Sequence, residues 1–530
     1  MAIRIRHGWL LAALVTVGFA QAIRAEVPLS AIDWLSKSVT GKPGVVVPPQ
    51  GNGTVANQPA VKGEPSVSKS GALPSEVAVS VLGAPSLDGI GLLSPETTGF
   101  PIALWGLGKT DEVINALAAV ELDGLPTLQN LFLTVLLAEA EPPADAGTDA
   151  RLLTMRVDKL LEIGALDQAQ ALLDAASPIQ SAELFRRAFD VALLTGNEDR
   201  ACETMRATPA LAPTLTARVF CLARSGDWNA AALTLSTAKA IDAITADEDA
   251  LLSRFLDPDL FDGEAVPEPP SPVTPLIWRI YEAVGEPLGT AMLPAAFSHA
   301  ELSDRSGWKA QLEAVERLTR VGAVTPNALL GLYTERTPAA SGGVWDRVDA
   351  FQRLDTALTQ GNAALVEQRL PLAWARMGDV ELEVQFSTLF APALSRMTLS
   401  GDAANIAYQM ALLSPDFERL AKNADAPKDT RSAFLAGLAA GSVKGLPPPD
   451  SMARAIAPAF IAPVLPPDFI VLSEQKRIGE EIILAMTKIE SGLHGNVSDI
   501  AEGLSVLRLL GLETAARRTA LELMLLERRG

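Results

Sequence analysis

Two cysteines, Cys202 and Cys221, and three histidines are all the thiol and imidazole in 530 residues. Zinc sites and Ser-His or Cys-His catalysis gather several such groups in one place. Here His299 has only Glu301 close by in sequence. No phosphate-binding glycine loop, dinucleotide fingerprint or nucleophile elbow occurs. The expectation is a protein with no cofactor, no metal and no catalytic role.

Recognition chemistry is better represented. Residues 333–347 (YTERTPAASGGVWDR), with 303–308 (SDRSGW) upstream, mix Tyr333, Glu335, Arg336, Trp345 and Arg347 around a Ser-Gly-Gly hinge. The glycine pair could bare backbone amides at a helix N-terminus, which attracts an anion or carboxylate. The competing reading is an interhelix loop held by salt bridges among Glu335, Arg336, Asp346 and Arg347. Trp278, Tyr281, Trp308 and Trp345 are concentrated in a chain that is only 5% aromatic, and the spacing of Trp278 and Tyr281 suits a helix core. A further binding candidate is Trp34, in the short amphipathic island 28–39 (PLSAIDWLSKSV). That island either docks a partner or folds back on the protein's own body.

The elements that must position these groups read as helices. Hydrophobic residues make up 48% of the chain, mostly Ala, Leu and Val, which suits close-packed helices over sheets. Gly164 and Ala169 are five residues apart, and Gly196/Ala201 and Gly226/Ala231 repeat the spacing at steps of 32 and 30 residues. Tandem helix hairpins produce such a period, with Gly at the turn and Ala where two helices pack closest. Gly511 with Ala516, and Gly401-Asp402, look like further units. Helices over 197–208 and 214–225 flank a turn at 209–213, and the two cysteines lie nearly equidistant from it. Antiparallel packing would set them side by side as a disulfide.

The N-terminus reads as an export signal: Arg4, Arg6 and His7, an apolar stretch at 8–19, and cleavage after Ala22 or Ala25. Loss of residues 1–25 removes three arginines and no acid, moving the net charge from −19 to −22. That acidity excludes nucleic acid and anionic lipid as expected partners. No later run is long and apolar enough to span a bilayer. Residues 26–95 read as a disordered arm, rich in Gly, Pro, Ser and Val from 37 onward. Residues 77–108, which overlap its end, are expected to wrap irregularly onto the first helices. Residues 96–261 form a first helical half and 276–530 a second, with 262–275 (DGEAVPEPPSPVTP) read as a Pro-rich linker over the alternative of a long loop between hairpins.

The hairpins resemble the second half of tetratricopeptide repeats. Gly sits at the turn, Ala169, Ala201 and Ala231 at the first small position of the second helix, and Ala176 and Ala238 one heptad later. Thr208 departs from the pattern at that later position, and the first-helix Trp-x-x-Leu-Gly-x-x-Tyr signature is missing. The resemblance, best over 150–240, implies an all-α, helical-hairpin α-solenoid with a groove for a peptide or protein. A second resemblance is local: Glu490-Ser491-Gly492 with Gly503-Leu504 is similar to lytic transglycosylases, whose Glu is the general acid. Ser505-Val506 replaces that family's Met-Gln pair, and only 27 residues follow Gly503.

The function these features predict is a periplasmic, non-catalytic scaffold or adaptor for a protein or peptide partner in a cell-envelope machine. The alternatives are a peptidoglycan-associated accessory factor and a small-ligand carrier built around 303–347.

Overall fold

A computed structural model describes residues 86–178, 181–261, 263–423 and 428–526. The described chain is all-helical, its one β-bridge joining Leu93 to Ala138. It begins with α1 (Pro95–Thr98), α2 (Thr110–Ala118) and α3 (Pro126–Leu137). Three hairpins follow: α4 and α5 (Arg151–Glu162, Leu166–Ala176), α6 and α7 (Ala182–Thr195, Glu198–Ala207), α8 and α9 (Leu215–Arg224, Trp228–Ala240). Next come α10 (Ala246–Leu256), α11 (Pro275–Ala283), α12 (Ser298–Glu301), α13 (Trp308–Arg320) and α14 (Pro326–Glu335). The middle continues with α15 (Val344–Thr359), α16 (Ala363–Gly378), α17 (Glu383–Leu394), α18 (Gly401–Leu413) and α19 (Phe417–Asn423). Last are α20 (Thr430–Ala440), α21 (Ser451–Ile461), α22 (Ile470–Glu474), α23 (Ile478–Leu493), α24 (Val497–Leu509) and α25 (Glu513–Leu525).

The glycine–alanine spacing marks real hairpins. Gly164, Gly196 and Gly226 end α4, α6 and α8 with φ of 80°, 75° and 83°, a region closed to most side chains. Ala169, Ala176, Ala231 and Ala238 are buried where the paired helices meet, and Ala201 is half-buried. Gly511 makes the same turn between α24 and α25, with Ala516 buried. Gly401 differs: it is the first residue of α18, not a hairpin turn.

The arm expected to reach residue 95 ends earlier. Asp88 is buried and its carboxylate accepts from Leu153 N at 2.9 Å. The buried Arg156 of α4 donates to the carbonyls of Ile90 (2.6 Å), Leu136 (2.7 Å) and Ala138 (2.9 Å). Residues 86–93 thus belong to the body, because Asp88 and Ile90 supply acceptors to α4 alongside Leu136 and Ala138.

Residues 263–275 lie against one core that the two expected halves share. One apolar cluster runs from Phe185 and Phe220 through Leu252 to Ile280, with Val266 and Val273 packed against it. Arg254 donates to Glu264 O (3.0 Å) and Ala265 O (3.1 Å), and Tyr281 Oη donates to Pro267 O at 2.6 Å. The prolines shape a loop that lies on its own core. Trp278 and Tyr281 are buried, as their helical spacing predicted.

The end of the described chain returns to its beginning. Leu107 N donates to Gln475 O (3.1 Å) and Gly479 N to Leu104 O (2.8 Å). Arg477, at the N-cap of α23, pairs with Glu112 of α2 at 2.6 Å and with Glu480 of α23. At the N-terminus of α3, where Leu125 offers no side-chain cap, Thr127 N donates to Glu522 of α25 at 3.0 Å.

Candidate functional site

The residues singled out between 333 and 347 separate into three environments. Tyr333 of α14 is fully buried and donates its hydroxyl to Glu316 of α13. Arg347 of α15 grips the same carboxylate with two bonds, Nε to Oε1 at 2.7 Å and Nη2 to Oε2 at 2.6 Å. The bidentate pairing ties α13, α14 and α15 together. Burial and the Glu316 charge hold the Tyr333 hydroxyl far above its usual range, while Glu316 keeps Arg347 firmly charged against its own desolvation.

Trp345 is half-buried against Trp308, ring centroids 5.3 Å apart, and Trp308 donates Nε1 to Leu332 O at 3.1 Å. Glu335 and Arg336 are exposed and pair with each other at 2.8 Å. Gly342 N, the amide expected to await an anion, donates to Asp346 Oδ1 at 2.8 Å. The structure therefore joins Tyr333 and Arg347 through Glu316, a residue that no motif singled out; Trp345 packs on the core that holds Tyr333, and the Glu335 and Arg336 side chains stay at the surface. Trp34 lies outside the described residues.

Cys202 and Cys221 form a disulfide between α7 and α8, with Cα atoms 5.0 Å apart. Asn197, Thr208, Thr214 and Ser225 are the residues that flank these two helices, so the near-equal distances from the turn hold. The bond closes a loop of 19 residues. Reduction is expected to cost about 3 kcal/mol through the restored freedom of the unfolded chain. Comparing unfolding temperatures with and without reductant, with alkylation to count thiols, checks this.

Glu490 is 7% exposed on α23, and Asp123 N donates to its Oε1 at 3.4 Å. Burial pushes its carboxyl upward. Its glycine neighbours have a packing role: a Cβ at Gly492 would stand 2.3 Å from Ile500, and one at Gly503 2.5 Å from Ala485 O. They let α23 and α24 approach closely. His299, the other candidate, donates Nε2–H to Gly164 O, a turn carbonyl, at 2.6 Å. Among the described residues no three His, Cys, Asp or Glu side chains gather as a metal-binding group, and no helix is long and apolar enough to cross a membrane.

Two concavities were invisible in the sequence. One, of about 400 Å³, runs between the first two hairpins, with Phe185, Ala188, Val191 and Ala192 in its lining and Asp167 and Arg200 bordering it. It exists because small residues on α6 and α7 leave the stacked helices without side chains to fill the space. The other, of about 370 Å³, lies where residues 120–123, the end of α4 and the end of α13 converge.

Asp190 of α6 is a further perturbed group. Desolvation raises its carboxyl to about 6, against the pull of Arg186 and Arg187. A folded value above the unfolded one means the native state holds a proton that the unfolded chain has lost, so stability falls as pH rises from about 4 to about 6. Asp190→Asn should therefore be more stable than wild type by about 2 kcal/mol at pH 7, with the gap closing near pH 4. Chemical unfolding of both proteins at the two pH values measures it.

No protein-family model, curated protein or solved structure matches this chain.

Proposed function

We propose that the protein is an exported, non-catalytic helical-repeat scaffold of the tetratricopeptide type that binds a protein or peptide partner in the periplasm. The observation that carries this reading is the 400 Å³ groove between the stacked hairpins. Its apolar floor suits an anchoring side chain, and the charges of Asp167 and Arg200 beside it would orient a peptide backbone or polar flank. Inter-repeat grooves of this sort are the binding surfaces that solenoids offer. The Cys202–Cys221 bridge suits an oxidising compartment, which supports the export reading of residues 1–25. The arm carrying Trp34 would supply a second attachment.

Crosslinking the full chain in its native envelope, against Ala188→Trp and against deletion of residues 28–39, tests the reading. A defined partner set that Ala188→Trp removes supports it. An unchanged set with the groove filled, or recovery of peptidoglycan fragments alone, overturns it.

A further inference from the structure

The second concavity brings opposite charges to one place without letting them meet. Arg317 and Arg320, at the end of α13, line one part of the 370 Å³ cleft, and Glu121, Asp123 and Glu162 line others. Among the described residues, no ion pair joins either arginine to any of these three carboxylates. Glu162 is paired with Lys159 at 2.9 Å and Arg320 with Glu381 at 3.5 Å. Among the described residues neither Glu121 nor Asp123, both exposed, is in an ion pair, and Arg317 donates to Thr290 O (2.9 Å), Ser298 Oγ (3.3 Å) and Leu293 O, with the Glu301 charge near it.

The cleft is also stiffened from behind at the cost of burying charge. Lys159, 5% exposed, donates to Val120 O at 3.1 Å, and Glu490, 7% exposed, accepts from Asp123 N. Lys159, which also pairs with Glu162, and Glu490 thus both fix residues 120–123, a loop whose outward-facing charges are Glu121 and Asp123. Burying charge is expensive unless it is paired and hydrogen-bonded, as Lys159 is by Glu162 and Val120 O. Phe132 and Val120 supply an apolar part of the wall.

We infer that this cleft binds a small zwitterion, a free amino acid or dipeptide, with its carboxylate toward Arg317 and Arg320 and its ammonium group toward Glu121 and Asp123. The volume lies within the range of small-molecule sites. Guanidinium groups match a carboxylate with paired donors, and two unpaired carboxylates match an ammonium ion. Neither half of such a ligand alone would satisfy both sets of charges.

The test is calorimetric titration of the full chain with the proteinogenic amino acids and dialanine, each binder then repeated as its N-acetylated and C-amidated form. The expected result is binding by at least one zwitterion, weakened about tenfold or more by either block. Asp123→Asn and Arg320→Gln should each weaken it by about the same factor, with an unfolding temperature like that of wild type, since both side chains are surface-exposed. No binding by any member at millimolar concentration overturns the inference. So does binding that ignores the blocking groups or survives both substitutions. The readout does not depend on a protein partner, so its failure leaves the scaffold reading standing, and the reverse holds.

Discussion

Replacing Glu522 by alanine should lower stability by about 3 kcal/mol and loosen residues 126–137, at the other end of the described chain. Glu522 is 1% exposed on α25, and its carboxylate takes both Thr127 N (3.0 Å) and the Thr127 hydroxyl. Acceptors and donors are both buried, so each lost bond costs more than an ordinary surface one, and the stranded Thr127 groups find no water. The carboxylate also faces the positive end of the α3 dipole, which Leu125 leaves uncapped. Glu522→Gln keeps one acceptor oxygen and should lose about half as much. Hydrogen exchange resolved by segment is the measurement. Faster exchange confined to α25 itself, with 126–137 unchanged, would show that the two ends are not energetically coupled.

That coupling explains why some of this molecule could be read in advance and some could not. The hairpins rest on local physics: a glycine that reaches positive φ at the turn, an alanine that lets helices touch, a pair of cysteines placed symmetrically about residues 209–213. Each needs only neighbours within about 30 residues, so spacing reveals it. Glu522, Glu490 and Arg477 act on residues 367 to 395 positions away or, for Arg477, on α2. No periodicity encodes such a meeting. The same limit governs 333–347. The residue types there suggested recognition, and the loop reading with its salt bridges was the competing one. What decides the role of Tyr333 and Arg347 is Glu316, one helix earlier and buried, which claims both.

The composition break at 262–275 misled for another reason. Five prolines and three acids look like a linker because such a stretch buries little by itself. Here Val266 and Val273 rest half-buried on the neighbouring core, and Arg254 and Tyr281 bond three of the segment's carbonyls. Proline content reports how a segment is shaped, while its partners decide whether it separates domains. The 370 Å³ cleft shows the converse case. Its charges come from segments about 40 and 160 residues apart, each unremarkable alone.

Arg156→Met should be at least as damaging as Glu522→Ala, at about 4 kcal/mol, and its cost should depend on pH. Methionine keeps the apolar stem but strands the carbonyls of Ile90, Leu136 and Ala138, which the guanidinium now holds at 2.6 to 2.9 Å. Burial lowers Arg156 to about 10, so it is still charged at neutral pH. Its second effect falls on Asp88, whose carboxyl burial raises while the Leu153 amide and Arg156 pull it down. Without Arg156 the folded value of Asp88 climbs further above its unfolded value. For an acid shifted that way, the penalty is absent below the unfolded value and grows as pH rises through the folded one. The deficit of Arg156→Met should therefore be larger at pH 7 than at pH 4. Adding Asp88→Asn, which keeps the oxygen that accepts from Leu153 N, should narrow the difference between the two pH values. A deficit that stays the same at both would mean that Arg156 acts on the carbonyls alone, and that the charge of Asp88 is balanced by something other than the arginine beside it.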